Sequence, residues 1–425
     1  MKKLVLLFAL LVTLGVQVDA QKIVGYAPYY RSYDAGFDFS KYTHVHYFAI
    51  WPAADGTFIW PQSEDSLSMA SQFKSIADIA QPQGVKMVIT FGGTSENGSK
   101  HFAEMATNES NRAAFIARAI ALCQAWGIDG IDIDWEWGLH EESVTDKQGY
   151  VSLMTDLSTA TNANNLSLST DVAASSWFGQ NSDVNAVDLA DYINVMSYGY
   201  NGGWAQTADH HSPMSKISSI GLPYWTNQGV AKAKLNIGTA FYGFAYKGTT
   251  TRGEAFSSFT SPNYFDIVDL ISAGYTVVED NENGSYCYST SANEIVFYDS
   301  PGNARTKMKY AKDNNYGGVI IWEIGADDDN QSLSIALDNE KEGVTAIAES
   351  DTEWVQLYAI NKALIVESDK LNTSLRMYDL GGNQVLDKTA LGASEKIDLS
   401  QLKTGVYIVQ LLSKGQEYKT KVFVE

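Results

Sequence analysis

Residues 129–136 of this 425-residue chain spell DGIDIDWE. A helix end and a turn, residues 125–128, come directly before them, so the pattern predicts a β-strand. Neighbouring side chains in a strand point to opposite faces. Asp132, Asp134 and Glu136 therefore share one face, and three apolar side chains share the other. The apolar face requires a covering layer of helices, which indicates an α/β fold.

The acidic face of this strand predicts acid catalysis. Its three carboxyl groups would lie about 6–7 Å apart, twice the rise per strand residue. Like charges this close raise one another's pKa, so at least one group is expected to hold a proton near neutral pH. A metal site or a solvated strand end is the alternative, but a hard cation needs further oxygen ligands and no calcium-type loop adjoins. We expect no metal and no cofactor. Asp129 points to the opposite face from the three carboxyl groups and should brace the start of the strand.

Composition limits the classes of partner. The formal charge of −20 argues against binding to nucleic acid or anionic membranes. The 10 Trp and 24 Tyr residues suit a neutral ligand such as a sugar, although most aromatic residues in a protein fill its core. Of the two cysteines, Cys123 and Cys287, a disulfide is conceivable in an exported protein, and two free buried thiols are the favoured interpretation.

The N-terminus predicts export. Residues 1–20 contain two lysines, a short apolar run and small residues at their end, which is typical of a secretory signal peptide cleaved after Ala20. The run is too short to span a bilayer comfortably. We expect a secreted or cell-surface protein that passes through the periplasm.

Eight strand-like segments alternate with helical patterns between residues 21 and 345. The segments are 23–29, 43–49, 86–93, 129–136, 166–173, 192–198, 235–242 and 317–324. This alternation predicts a parallel sheet with right-handed crossovers, and eight strands predict a closed (β/α)8 TIM barrel. Catalytic groups of that fold stand at the carboxyl ends of its strands, where Glu136 lies.

Two further regions are predicted. Residues of about 244–300, between the seventh and eighth strands, are too many for one crossover and carry helical and strand-like patterns around a turn at 281–284. They predict a small α+β insertion that forms one wall of a cleft. Residues 350–425 contain short strand candidates with no helix between them, which predicts a C-terminal all-β sandwich domain.

The acidic stretch also carries a resemblance. It fits the DxxDxDxE signature of family 18 glycoside hydrolases, the family of many chitinases, and the likeness extends over roughly residues 22–340. Residues 90–93, TFGG, resemble the SxGG of the family's third strand. The C-terminal domain resembles the sorting domain of type IX secretion. A carbohydrate-binding module fits less well, because aromatic residues are few and dispersed there.

The resemblance implies catalytic roles for four residues. Glu136 is the general acid and then the base, and Asp134 orients the substrate's N-acetyl group, whose carbonyl oxygen is the nucleophile. Asp132 shares a proton with Asp134, and Tyr198 hydrogen-bonds the acetamido group.

Five residues are candidates for substrate binding: Trp322 as the floor of the reacting subsite, and, with weaker support, Tyr242, Tyr26, Trp177 and Asp171. Many family members have Asp directly after the tyrosine, whereas this chain has Gly199. Asp171, on the neighbouring strand, is a candidate to replace that carboxylate.

The function implied is hydrolysis of β-1,4-linked N-acetylglucosamine polymers by substrate-assisted retaining catalysis. The expected partners are chitin or an N-acetylglucosamine-containing oligosaccharide and the secretion machinery, and a monomer is expected. An endo-β-N-acetylglucosaminidase acting on N-glycans shares the acidic motif and would have a wider, less aromatic cleft. A non-catalytic sugar-binding relative usually lacks the terminal Glu, which is present here.

Overall fold

A computed structural model describes residues 21–34, 36–61, 64–94, 96–136, 144–341, 355–360, 363–368, 373–379, 383–392, 394–403, 405–413 and 416–424. The predicted signal peptide lies outside the described residues.

Eight parallel strands close into a barrel, as predicted. They are β1 Lys22–Pro28, β2 His44–Pro52, β3 Lys86–Gly92, β4 Gly130–Asp134, β5 Ser167–Ala173, β6 Tyr192–Met196, β7 Leu235–Ala240 and β8 Gly318–Trp322. Each strand pairs with its neighbours in chain order, and β1 pairs with both β2 and β8, which closes the ring. A short strand, Phe58–Ile59, adds antiparallel to β2.

Helices cover the outside of the barrel. The longer ones are Ser66–Ala80, Phe102–Thr107, Glu109–Trp126, Val144–Ala163, Pro301–Asp313 and Ser332–Lys341. Shorter helical segments are Phe39–Lys41, Gln81–Gln83, Glu96–Ser99, Ser176–Gly179, Val184–Val187, Met214–Lys216, Ile217–Gly221, Leu222–Thr226, Lys232–Lys234 and Ile324–Ala326.

The helix before β4 shows how the sequence sets these boundaries. It begins where the Asn108 side chain accepts a hydrogen bond from the Asn111 N–H, and it ends at Gly127, whose φ of 70° is the left-handed conformation that glycine adopts without penalty. The Asp129 carboxylate then accepts the Met87 N–H at 2.9 Å and the Lys86 ammonium at 3.0 Å. Asp129 thus braces the entry to β4 against β3, as its parity predicted.

The apolar face of the acidic strand packs outward against the helical layer. Ile131 and Ile133 are fully buried, and the Trp135 ring stacks on Phe102 at 4.8 Å between ring centroids. The alternation predicted for residues 131–136 therefore persists in these side chains, although regular strand pairing ends at Asp134.

The segment between β7 and β8 forms a separate small sheet with one helix. Its five strands are Phe244–Lys247, Ser258–Thr260, Thr276–Val278, Ser285–Ser289 and Glu294–Tyr298, and its helix is Tyr264–Ser272. The predicted turn contains Gly284, with φ of 94°, where a Cβ would come within 2.0 Å of the His210 ring. This is the α+β insertion that the sequence predicts.

The C-terminal region is all-β, also as predicted. Strands Val355–Ile360, Ala363–Ser368 and Ser394–Asp398 form one antiparallel sheet, and Thr373–Asp379, Gln384–Leu391, Gly405–Ser413 and Gln416–Val424 form another. Buried side chains of both sheets share one apolar core, which includes Leu364, Leu375 and Val409. The strand Ser394–Asp398 was not predicted from the sequence, because Ile397 is its only apolar residue.

Both cysteines are free and buried, Cys123 in the helix before β4 and Cys287 in the insertion sheet. This agrees with the favoured interpretation of the sequence. Within the described ranges, no helix combines the length and apolar character needed to cross a bilayer.

Candidate active site

A cavity of about 470 Å³ opens at the carboxyl end of the barrel. Of the residues predicted for the site, seven line it: Glu136, Asp134, Tyr198, Trp322, Tyr242, Tyr26 and Asp171. Four further aromatic residues line it without having been predicted: Tyr29, Tyr30, Phe48 and Trp51. The cavity is therefore an aromatic pocket with carboxyl groups on one side.

Asp132 lies beneath the cavity, fully buried. Its Oδ1 accepts the Ser169 hydroxyl at 2.6 Å, and its Oδ2 accepts the Thr90 hydroxyl at 2.9 Å and the Tyr26 phenol at 3.1 Å. His46 Nδ1 lies 3.3 Å from the same Oδ2. Burial alone would raise the pKa of Asp132, but His46 and the Ser169 and Thr90 hydroxyls outweigh it and lower that pKa. Asp132 is therefore an anion.

Asp134 stands above Asp132 and is 4% exposed. Its Oδ1 has no hydrogen-bond partner. Burial, and then the charges of Glu136 and Asp132, raise the pKa of Asp134 well above its ordinary value. Of these two carboxyl groups, Asp134 is the one whose surroundings favour a proton, because donors already occupy both oxygens of Asp132.

Glu136 lies two residues beyond β4, at the mouth of this acidic column, and is partly exposed. Its backbone N–H donates to Ser99 Oγ at 3.1 Å, and the Ser99 hydroxyl donates to the Gly93 carbonyl at 2.8 Å. Burial raises the pKa of Glu136 to about 7. A carboxyl with that pKa is suited to general acid and base catalysis near neutral pH.

Two glycines allow β3 to approach β4 at this point. Gly92 has φ of 121°, and a Cβ there would lie 2.0 Å from the Asp134 carbonyl oxygen. The Gly93 N–H donates to the same oxygen at 2.8 Å. The TFGG stretch therefore supplies both a hydroxyl for Asp132 and the close backbone contact that holds Asp134 in place.

Aromatic rings form the rest of the pocket. The Phe48 and Trp322 rings meet edge to face at 4.6 Å between centroids, and Tyr26 lies 5.8 Å from Trp322. Tyr198, after β6, contacts Tyr242, after β7, at 6.1 Å. Faces of Trp and Tyr rings are the usual surfaces on which sugar rings stack.

Trp177 is not brought to this cavity. It lies on the short helix Ser176–Gly179 after β5 and is 76% exposed. Its contact with substrate stays a prediction.

Asp171 and Gly199 lie on neighbouring strand ends. Gly199 has φ of 74°, and no other group lies within 4 Å of the place where its Cβ would be. Asp171 Oδ1 lies 2.6 Å from the Tyr26 phenol oxygen. Burial, with the charges of Asp132 and Asp134, raises the pKa of Asp171 well above its ordinary value.

A second buried polar cluster lies under the insertion. Lys307 Nζ donates to Asp299 Oδ2 at 2.5 Å and to Ser212 Oγ at 2.6 Å, and all three side chains are at most 1% exposed. The Ser212 hydroxyl donates to the Ser197 carbonyl at 2.7 Å, next to Tyr198. This cluster ties the strand end that carries Tyr198 to the helix that follows the insertion.

The sequence did not predict several buried partners, among them His46, Ser169, Lys307 and Asn194, whose Nδ2 donates to the Tyr26 phenol oxygen at 2.9 Å. For Asn194 the available signal was an amide in a strand without charged residues, Tyr192–Met196, whereas Ser169 lies in a strand with several polar residues and gave no such signal. Lys307 could have been found by its place among Ala304, Met308 and Ala311 on the buried face of its helix. Across the described ranges, no set of three His, Cys, Asp or Glu side chains is grouped as metal ligands would be.

The fold and the site together define a (β/α)8 barrel with an acid–base centre at the carboxyl end of β4. The chain belongs to family 18 of the glycosyl hydrolases, because the sequence model of that family matches residues 22–327. Residues 360–425 match the secretion system C-terminal sorting domain.

The names of the chain's relatives agree with this family assignment. A probable endochitinase of Caenorhabditis elegans is 28% identical over an alignment of 285 residues that covers 59% of this chain and 45% of the relative. Chitinase A1 of Niallia circulans is 26% identical over an alignment of 411 residues that covers 75% of this chain and 58% of the relative. The chain thus spans about half the length of these relatives. A variant of the class V chitinase from Nicotiana tobaccum, solved in complex with NAG4, shares the fold with a TM-score of 0.66 and 24% identity, covering 76% of this chain and 99% of that one.

Proposed function

We propose that the protein is a secreted glycoside hydrolase that cleaves β-1,4-linked N-acetylglucosamine polymers. The observation that carries the proposal is the place of Glu136 at the mouth of an aromatic cavity, next to Asp134. Burial raises the pKa of Glu136 to about 7, and the pKa of Asp134 is raised as well. The relatives named chitinases support the substrate class. The many aromatic rings favour a linear chitin chain over the wider site expected for an N-glycan.

The geometry suggests a sequence of proton transfers. Glu136 donates its proton to the glycosidic oxygen while the carbonyl oxygen of the substrate's N-acetyl group attacks the anomeric carbon. The free Oδ1 of Asp134 accepts the acetamido N–H, and the Tyr198 phenol donates to the acetamido oxygen. Glu136, now a carboxylate, removes a proton from the water that opens the cyclic intermediate. Because the substrate supplies the nucleophile, no second carboxylate is needed on a facing strand.

The test is the configuration of the first product. Two inversions at one carbon retain configuration, so NMR read before mutarotation should show the β anomer at the new reducing end. A substrate with glucosamine at the reacting subsite has no acetyl carbonyl and should not be cleaved. Initial release of the α anomer, or efficient cleavage of the glucosamine substrate, would refute the mechanism. Product analysis on chitin, chitooligosaccharides and an N-glycoprotein separates the chitinase from the endo-β-N-acetylglucosaminidase alternative.

We propose further that residues 350–425 direct export from the periplasm to the cell exterior and play no part in catalysis. Their deletion should leave the purified barrel active and retain the protein in the periplasm. Secretion of the deleted form, or a loss of chitin affinity with normal secretion, would instead indicate a binding module.

A further inference from the structure

Asp171 makes a contact that the mechanism above does not use. Its Oδ1 lies 2.6 Å from the phenol oxygen of Tyr26, and that same phenol lies 3.1 Å from Oδ2 of Asp132. Asn194 Nδ2 donates to the phenol oxygen at 2.9 Å. One phenol therefore faces two carboxyl groups from two different strands.

Counting hydrogens decides how these contacts can coexist. Tyr26 has a single hydroxyl hydrogen to donate, whereas its oxygen is also a hydrogen-bond acceptor. If both carboxyl groups were anions, one of them would face a phenol lone pair across a contact of 3.1 Å or less. If Asp171 carries a proton, it donates to the phenol oxygen, and the phenol hydrogen is free for Asp132. Each oxygen–oxygen contact then contains its own hydrogen.

The surroundings of Asp171 favour the protonated form. It is 7% exposed, and the charges of Asp132 and Asp134 oppose its ionisation. The titratable groups on the elements around it are Tyr26 on β1, His46 on β2, Asp132, Asp134 and Glu136 on or after β4, Tyr150 on the helix Val144–Ala163, and Tyr192 and Tyr198 on or after β6.

We propose that Asp171 is a positioning residue that holds a proton in the resting enzyme and donates a hydrogen bond to the Tyr26 phenol oxygen, so that the Tyr26 hydroxyl donates its hydrogen bond to Asp132. Asp132 then stays an anion with a full set of donors, and the second proton stays on Asp134, next to the substrate. When Asp171 loses its proton at alkaline pH, the phenol turns to the nearer Asp171 oxygen and Asp132 loses one donor. The inference rests on the proposed function for its effect on turnover, although not for the proton itself.

Two substitutions separate the donor from the charge. Asp171→Asn keeps an N–H that can donate to Tyr26 at every pH, and Asp171→Leu has a similar size but no donor. Loss of a hydrogen bond that supports a charged group corresponds to about a 10- to 100-fold effect. We expect a loss of that size in kcat for Asp171→Leu and a loss of less than about 3-fold for Asp171→Asn, whose kcat should also fall less steeply at alkaline pH.

Tyr26→Phe tests whether the effect passes through the phenol. In a Tyr26→Phe background, Asp171→Asn and Asp171→Leu should have the same kcat and the same pH profile. A direct role of Asp171 in holding substrate would appear instead as a higher KM with an unchanged pH profile of kcat, and that result would overturn the proposal. Equal kcat values for the wild type and Asp171→Leu would overturn it too.

Infrared spectroscopy reports the proton without any turnover. At neutral pH the difference spectrum between the wild type and Asp171→Asn should lose the C=O stretch of a neutral carboxylic acid. The matched control Asp188→Asn, at a half-exposed surface ion pair with Lys234, should lose carboxylate bands only. If the Asp171 spectrum also loses only carboxylate bands, the proposal is wrong. A protein that cleaves no N-acetylglucosamine substrate would contradict the proposed function and leave this measurement decisive for Asp171.

Discussion

Two buried polar clusters lie in the same barrel and treat charge in opposite ways. Under the insertion, Lys307 and Asp299 form an ion pair at 2.5 Å that Ser212 completes. In the second cluster, Asp134 lines the cavity and Asp132 lies beneath it on the same strand. The first cluster balances its charges by pairing, whereas in the second burial and the neighbouring negative charges raise the pKa of Asp134 and favour its neutral form.

The difference shows which cluster supplies chemistry. The Lys307–Asp299 pair does not line the cavity and connects through Ser212 to the strand end before Tyr198, so its contribution is to position Tyr198 and the insertion. The acidic column resists ionisation, which costs folding free energy above the ordinary carboxyl pKa, but it holds acid groups ready to react. Substitutions in the column should therefore act mainly on turnover without destabilising the fold, and substitutions in the pair should act mainly by lowering stability.

Glu136→Gln should have the largest effect on turnover. The amide fills the same space but has no acid proton, and general acid catalysis is typically worth about 10²–10⁴-fold in rate. We expect a loss of that size in kcat, measured on soluble chitooligosaccharides, with a melting temperature that is no lower than that of the wild type, because the raised pKa of the Glu136 carboxyl opposes folding at neutral pH. Asp129→Asn, at the other end of the same strand, is the control and should keep kcat. Normal turnover in folded Glu136→Gln would remove Glu136 from the mechanism.

Lys307→Met should have the largest effect on stability. It leaves Asp299 buried without its partner, and breaking a buried pair costs about 3–5 kcal/mol of unfolding free energy. Lys309→Met, two residues later in an exposed pair with Asp313, should leave the free energy of unfolding nearly unchanged. Chemical denaturation measures both. Adding Asp299→Leu to Lys307→Met should recover much of the loss, and equal stability of the two single variants would show that the buried pair has no special weight.

Asp134→Asn should be more stable than the wild type, and this difference should grow as pH increases. The pKa of Asp134 is raised in the folded protein, so above about pH 4 the unfolded chain releases this proton while the folded protein retains it. Wild-type stability therefore falls as pH rises, and the amide removes that dependence. We therefore expect Asp134→Asn to be more stable than the wild type at neutral pH and nearly equal to it at pH 4. Urea unfolding at both values tests this, with the exposed Asp78→Asn as the control. A gain independent of pH would point to packing rather than to the proton.

The smallest expected effect is the pH dependence of wild-type turnover around neutrality. Glu136 must be protonated to act as the acid, and its pKa is raised to about 7. The value of kcat/KM should therefore fall by about half at that pH and by about tenfold per unit above it. Lys309→Met should not move this limb. A profile that stays flat to about pH 9 would assign the proton donor elsewhere.

The sequence predicted the parts of the site that lie close together in the chain. The alternation in β4 places Asp132 and Asp134 correctly, because a period of two is a local property of strands. It could not predict that Tyr26 would meet Asp171 or that His46 would lie beside Asp132. Those contacts depend on the register of strands that are far apart in sequence. Likewise, the burial of Lys307 depends on the insertion that folds over it.

The two thiols bear on how the fold responds to oxidising surroundings. Cys123 and Cys287 are buried, and burial raises the pKa of each thiol to about 12. Only the thiolate attacks disulfides or reacts readily with oxidants, so both side chains are chemically quiet. The described fold depends on packing rather than on a cross-link between these residues. The fold should therefore be stable in oxidising and reducing surroundings alike, and export of the protein should not require a disulfide isomerase.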